Sequence, residues 1–318
     1  MKNSLSQFKG LGIILFTCLA LVQNVKAQQD PQYTQYMFNM QALNPAYVGN
    51  QANTISGTLL MRRQWFGIQG APVTQSFTVN ASLMQGSLGL GAVILNDKIG
   101  VSNATSALFN WAYHLRVTRT GKLGFGMFAG LRQYRANFAD LRTSIGNNYD
   151  PAFDVGISKG LPVVGVGLMY HTDKFYAGIS TPQLITTRYS VNVASVQHNS
   201  HFFMNTGYVM TVNDKIKVRP SMMVKYVRGS PVSIDLNANV WFKERFGVGA
   251  SYRVRDSFDL LFEFQANQNL TMGYGFDMTL TKLGTYTNPR GGSHEIMVRY
   301  QGKAGKGDKD KIVTPRHF

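Results

Sequence analysis

The sequence is poor in cysteine, in acidic residues and in long apolar runs, and each shortage removes a class of answer. One residue of 318 is cysteine, Cys18, and it lies inside an N-terminal apolar run that reads as a cleaved leader. The chain left after cleavage has no cysteine, which excludes disulfides, thiolate metal sites and a cysteine nucleophile. Acidic residues number 16 against 32 Lys and Arg, a formal charge of +16. Such a balance suits nucleic acid, but no stretch reads as a basic helix or a ribonucleoprotein signature. An exported chain is expected to meet no nucleic acid; anionic lipid or an acidic partner fits better. After Ala27 no apolar run approaches the ~18 residues of a spanning helix.

Catalytic constellations are scarce too. His114, His171, His198, His201, His294 and His317 show neither H-x-x-x-H nor H-x-H spacing, so no metal or other cofactor is expected. "GFGMFA" at 124–129 loosely matches a nucleotide fingerprint, but it lies within a strand pattern with no helix after it. Its glycines there serve bending or close packing. No G-x-S-x-G elbow is present, and the chain is not expected to be an enzyme.

What is present starts with the leader. Lys2 and Lys9 precede the apolar run Leu11–Val22, and the small-residue site Val25-Lys26-Ala27 follows. That order marks residues 1–27 as a secretory signal peptide; the run is about half the ~20 residues of a membrane anchor. The remainder is rich in Gly, with 32, and in aromatics, at 12%, while only 15% of residues are charged. Polar and apolar residues alternate with a period of two, the mark of strands. In Ala104–Val117, Ala107, Phe109, Trp111, Tyr113 and Leu115 oppose Ser106, Asn110, His114 and Arg116. In Val232–Lys243, Ile234, Leu236, Ala238 and Val240 oppose Ser233, Asp235, Asn237 and Asn239.

About 14 such segments lie near 54–65, 73–84, 86–96, 102–117, 122–135, 163–171, 174–181, 200–212, 216–228, 232–243, 246–255, 258–267, 269–280 and 292–301. Joints after even-numbered segments are tight, at 85–86, 118–121, 172–173, 213–214 and 244–245. Several after odd-numbered ones are long, at 66–72, 97–101, 136–162, 182–199 and 281–291. Strand length, even count and this asymmetry indicate an all-β fold, a transmembrane outer-membrane β-barrel of about 14 antiparallel strands with both termini periplasmic. A water-soluble sandwich would alternate in the same way, but it would not need the leader or the loop asymmetry. Tyr170, Tyr226, Trp241, Tyr252, Tyr274 and Tyr300 sit near strand ends and fit interfacial girdles.

Ten charges fall on the polar phase, and so face the lumen: Lys217, Arg219, Lys225, Asp235, Arg253, Arg255, Glu263, Asp277, Glu295 and Arg299. They would tune a solvated channel or pair with one another in a plugged one. Fourteen strands enclose more space than their own side chains fill, so water, a ligand, loops or a terminus must occupy it. Residues 28–53, "DPQYTQYMFNMQALNPAYVGN" with its flanks, are a candidate plug, because disordered leaders are poor in aromatics. The barrel takes residues 54–301. Residues 302–318 form a basic Gly/Lys tail, either solvated and inert or a docking tail for a periplasmic partner.

Three stretches together resemble one family. Asp30–Asn50 resembles the mature N-terminus of the PorP/SprF outer-membrane proteins, through Asp30, Pro31, Gln32, Gln35, Tyr36, Met37, Phe38, Asn44, Pro45, Ala46, Tyr47 and Gly49. "GVGLMYHTDKFYAGISTPQL" (Gly165–Leu184) is similar to their central hairpin. The ending "TPRHF", with Pro315, Arg316 and Phe318, is similar to their Pro-Arg-aromatic close. The resemblance implies an accessory barrel of the type IX secretion system and its gliding machinery. Such a barrel supports export or surface attachment of adhesins that carry a C-terminal secretion domain, with periplasmic peptidoglycan-binding and ring components as further partners. It implies no catalytic residues; the matched positions are structural or partner-contacting. A passive channel or small-molecule transporter is the alternative.

Overall fold

The alternation closes one antiparallel sheet on itself. The computed structural model describes residues 32–137, 156–185, 187–191, 194–198, 200–281 and 292–303. The first strands are β1 (Thr54–Arg63), β2 (Val73–Leu83), β3 (Leu88–Ile99), β4 (Ser102–Arg116), β5 (Lys122–Ala136), β6 (Ile157–His171) and β7 (Phe175–Thr181). A separate hairpin, β8 (Thr187–Val191) with β9 (Ala194–His198), stands apart from the main sheet. The wall resumes with β10 (His201–Tyr208), β11 (Met210–Asn213), β12 (Ile216–Val227), β13 (Ser233–Phe242) and β14 (Phe246–Arg253). It ends with β15 (Ser257–Gln265), β16 (Leu270–Thr279) and β17 (Ser293–Lys303). β10 and β11 are two pieces of one strand, parted at Val209, and both lie along β12. The ring therefore has fourteen places, sealed where β1 meets β17 from Thr54↔Lys303 to Arg63↔His294. Closure removes every free edge from the ring, which hydrocarbon demands because it offers no partner to an open backbone group.

Side chains explain why the ring sits in lipid. Outside, Leu59, Ile94, Phe109, Phe262 and Ile296 are each half or more exposed, while between them Ser76, Ser106, Asn110 and Asn239 are buried inside. Leaving a large apolar side chain in water rather than burying it forgoes about 1.5–3 kcal/mol; a bilayer removes that cost around the whole circumference. Among the described residues no helix is long and apolar enough to cross a membrane, and the crossing is made by strands.

One end of the barrel, where β1 starts and β17 finishes, carries tight turns and is called the terminal end here. Three of those turns use one device, a side-chain oxygen accepting from two backbone N–H groups. Asn213 Oδ1 takes Lys215 N at 2.9 Å and Ile216 N at 2.8 Å. Thr172 Oγ1 takes Lys174 N and Phe175 N, and Asn267 Oδ1 takes Asn269 N and Leu270 N. The opposite, loop end carries the longer connections, with two departures from expectation. The joint expected at 97–101 is short, because β3 runs through Ile99 and turns at residues 100–101. The strand expected at 163–171 begins six residues earlier. Pro162 reads as a breaker, but here it is harmless: Val164, two residues on, gives its carbonyl to Leu184 N away from β5. Pro162 faces the same way, beyond the reach of β7, whose pairing with β6 starts at Val166.

Candidate functional site

The lumen is filled by the segment that precedes the barrel. Residues 36–47 fold into a 3-10 turn (Tyr36–Phe38), one turn of α-helix (Met40–Leu43) and a second 3-10 turn (Pro45–Tyr47). Asn44 starts the last of these, its Oδ1 accepting from Ala46 N at 2.9 Å, with Pro45 pre-set at the first position. Isolated turns this short have no stability of their own; the wall supplies it. Tyr33, Tyr36, Met37, Phe38, Met40, Leu43, Ala46 and Tyr47 are all buried and pack on inward-facing Leu60, Met169, Met223, Leu261 and Met297. Burial pushes the phenols of Tyr36 and Tyr47 well above their usual range, so both remain neutral.

Polar contacts tie the segment to the wall nearly all the way round. Thr34 N and Gln35 N donate to the two oxygens of Glu295 at 2.9 and 2.6 Å. Tyr36 OH and Ser221 Oγ lie 3.0 Å apart, and Asn39 donates to Ser76 at 3.1 Å. Gln41 Nε2 reaches the carbonyls of Val79 and Ala92; Asn44 Nδ2 reaches that of Leu168; His114 Nε2 meets that of Val48. The plug runs lengthwise, from Glu295 near the loop end to Gly49 beside Gly89 at the terminal end.

Close approach on one side depends on glycine. A Cβ on Gly126 would strike the backbone of Pro45 and Ala46, and one on Gly89 would strike Val48 and Gly49. Gly49 itself holds φ +68°, a conformation costly for any other residue type. The "GFGMFA" glycines thus serve close packing.

The charges divide into two tiers. At the loop end Arg62 NH2 meets Asp277 Oδ2 at 2.6 Å and Arg62 NH1 lies 3.6 Å from Glu295, while also donating to Thr34 Oγ1. Asp235 joins Lys225 at 2.8 Å to Arg253 at 3.1 Å, and Arg253 continues to Asp256 and Asp277 at 3.3 and 3.7 Å. Asp259, held by Ser257 at 2.8 Å, completes a tier in which carboxylates outnumber the three cations. At the terminal end cations dominate: Lys217 pairs with Glu244, Arg219 lies 4.6 Å over the Trp241 ring, and Arg245, Arg299 and Lys303 line one cavity with Glu263.

Nine of the ten expected lumen charges face inward in this way. Arg255 does not; β14 ends at Arg253, and Arg255 sits exposed in the following turn at φ 63°. Trp241 is a second correction. It points inward and donates to Glu263 Oε2 at 2.9 Å instead of joining an interfacial girdle, because it shares the phase of Asn237 and Asn239. Tyr226, Tyr252, Tyr274 and Tyr300 do face outward. Of the matched motif, Gln32 to Gly49 lie in or beside the plug, whereas Asp30, Pro31, Pro315, Arg316, Phe318 and the leader fall outside the described residues. Sequence reading missed Arg62, the fully buried partner of the plug. It also missed Leu60, Met223, Leu261 and Met297, which carried a usable signal: apolar residues placed on the polar phase. Among the described residues no group of three or more His, Cys, Asp or Glu is placed to hold a metal.

Comparison with protein families matches residues 25–300 to the model described as "Type IX secretion system membrane protein PorP/SprF". No curated protein matches the chain. Solved structures with a similar outline include the CymD monoaromatic hydrocarbon channel, 11% identical, covering 88% of this chain and 93% of that one with a TM-score of 0.49. The Pseudomonas putida toluene transporter TodX is 10% identical, covering 87% and 95%, at 0.46. A Pseudomonas aeruginosa FadL homologue is 10% identical, covering 83% and 94%, at 0.44. These similarities are low, and the barrel rests on its own register and apolar exterior.

Proposed function

The chain belongs to the PorP/SprF family of type IX secretion system membrane proteins and lies in the outer membrane, and from that premise we propose that it is a plugged anchoring barrel. In this reading it supports export or surface attachment of adhesins bearing a C-terminal secretion domain. Its tight turns face the periplasm, where peptidoglycan-binding and ring components of the machinery meet it. Its work is non-catalytic: it holds and positions a protein partner.

The observation that carries the reading is the plug. A segment bonded to Glu295, Ser221, Ser76, Leu168 and Val48 fills the space that a channel would keep open. A passive pore would gain nothing from so many buried contacts across its own conduction path. Two experiments test this. Deleting the gene and probing intact cells should abolish surface display of a cognate adhesin; normal display with normal gliding sinks the anchoring role. The purified barrel in a planar bilayer should be silent, and a steady open conductance would favour a transporter.

A further inference from the structure

Between the plug and the charged part of the wall, at the terminal end, a cleft remains. Phe38 of the plug forms one side and Trp241, Glu263, Thr271 and Arg299 line the wall, with Arg245, Gln268 and Lys303 at the rim. Its deepest polar groups are incompletely used. Glu263 is 7% exposed; its Oε2 accepts from Trp241, while Oε1 has no hydrogen-bond partner among the described residues. Arg299 Nε is likewise without one. Buried donors and acceptors are normally satisfied, and one left open is costly. Here an open acceptor and an open donor line the same cavity.

The pair suits a peptide group, which offers one N–H and one C=O. Charge narrows the class further. Among the described residues that line the cleft, Arg245, Arg299 and Lys303 stand against Glu244 and Glu263, with Arg219 stacked on Trp241 beside them, and Glu244 is engaged by Lys217. A guanidinium accepts a carboxylate through a two-pronged fork. Side-chain amides of Gln265, Gln268 and Gln301 add donors and acceptors of the kind an extended backbone needs. Lipid is an unsuitable occupant, since the cavity lies inside the strand ring.

We propose that this cleft binds an extended polypeptide segment carrying an acidic side chain, entering from the terminal end. Glu263 Oε1 accepts a backbone N–H, Arg299 Nε donates to the backbone C=O while its terminal N–H groups take the carboxylate, and the Arg219-stacked Trp241 forms the back of the site. The assignment is independent of which secreted protein the barrel serves.

The test uses the full-length protein in detergent and a blocked, fluorescein-labelled peptide, Gly-Ser-Asp-Gly-Glu-Gly-Ser, beside its Asn/Gln analogue. Anisotropy should report binding of the acidic peptide, weakened about tenfold or more by Arg299→Gln and by the neutral analogue. Arg255→Gln, at the opposite end, should leave binding unchanged. Should Arg299→Gln fail to assemble, a benzophenone attached at Gln268→Cys takes its place and should capture the acidic peptide but not the neutral one. Equal binding of both peptides, equal loss on Arg255→Gln, or displacement by free glutamate as effective as by unlabelled peptide would each overturn the site.

Discussion

The stretch of wall from β2 to β7 and the stretch from β12 to β17 face the same plug with opposite chemistry. On the first, Gly89, Gly91, Gly126, Gly167 and Gly178 let the plug backbone and its Gln41 and Asn44 side chains touch the strands directly. Uncharged Ser76, Asn80 and Asn110 supply the hydrogen bonds. On the second, Gly273 and Gly275 admit only the side chains of Gln35 and Thr34, while long charged side chains stand off the strands, contact the plug through Glu295, backed by Arg62 of the adjoining β1, and leave a cleft below Phe38. Close backbone contact dominates on one side, and side chains, charged Glu295 among them, on the other. Close backbone contact permits a single position, whereas a charged surface can exchange partners. The fixed wall is therefore the seat, and the charged wall is the side on which the cleft and the proposed peptide site lie.

Deleting residues 32–49 should break the comparison most severely. Leu60, Met223, Leu261 and Met297 would then line an empty lumen, and a silent barrel should become a steady conductor in a planar bilayer. Arg62→Met comes next. It strands Glu295 without its cation and leaves Asp277 only Arg253 at 3.7 Å, and breaking a buried pair in this way costs about 3–5 kcal/mol, read as a lower urea midpoint for the folded barrel in detergent. Gly126→Val attacks the other wall. The added atoms overlap Pro45 and Ala46, and overpacking costs about 1–3 kcal/mol; conductance should appear if the plug yields before the strand does. If Gly126→Val leaves both midpoint and silence intact, the distinction between the walls fails. Tyr36→Phe should cost least, about 0.5–1.5 kcal/mol for its hydrogen bond to Ser221, with the midpoint again the readout.

Strands were legible because lipid imposes a strict period of two on every wall residue, so β4, β13 and β16 follow directly from alternation. The plug was legible only in outline. Its composition marks residues 32–49 as packed, but a segment wrapped by a cylinder touches neighbours on every side and keeps no period. Its path could be found only through its partners. Met223 and Leu261 break the polar phase where the plug presses on them, and that irregularity was readable. Arg62 was harder, since Arg63 follows it and a pair of arginines at a strand end looks like a solvated rim. Arg255 and Trp241 went astray for opposite reasons. A left-handed turn ends the strand before Arg255, and Trp241 was judged by residue type when its phase already placed it inside.

Glu295 has one more consequence, for the order of assembly. It is the register partner of Arg62 across the junction of first and last strands, and the same carboxylate receives Thr34 and Gln35, some 260 positions earlier in the chain. The start of the plug is thus made some 260 residues before the carboxylate that receives it. Since both sides of the seam grip the plug, a barrel closed without it would leave Glu295 facing Arg62 at 3.6 Å but stripped of the two backbone N–H donors that meet it here.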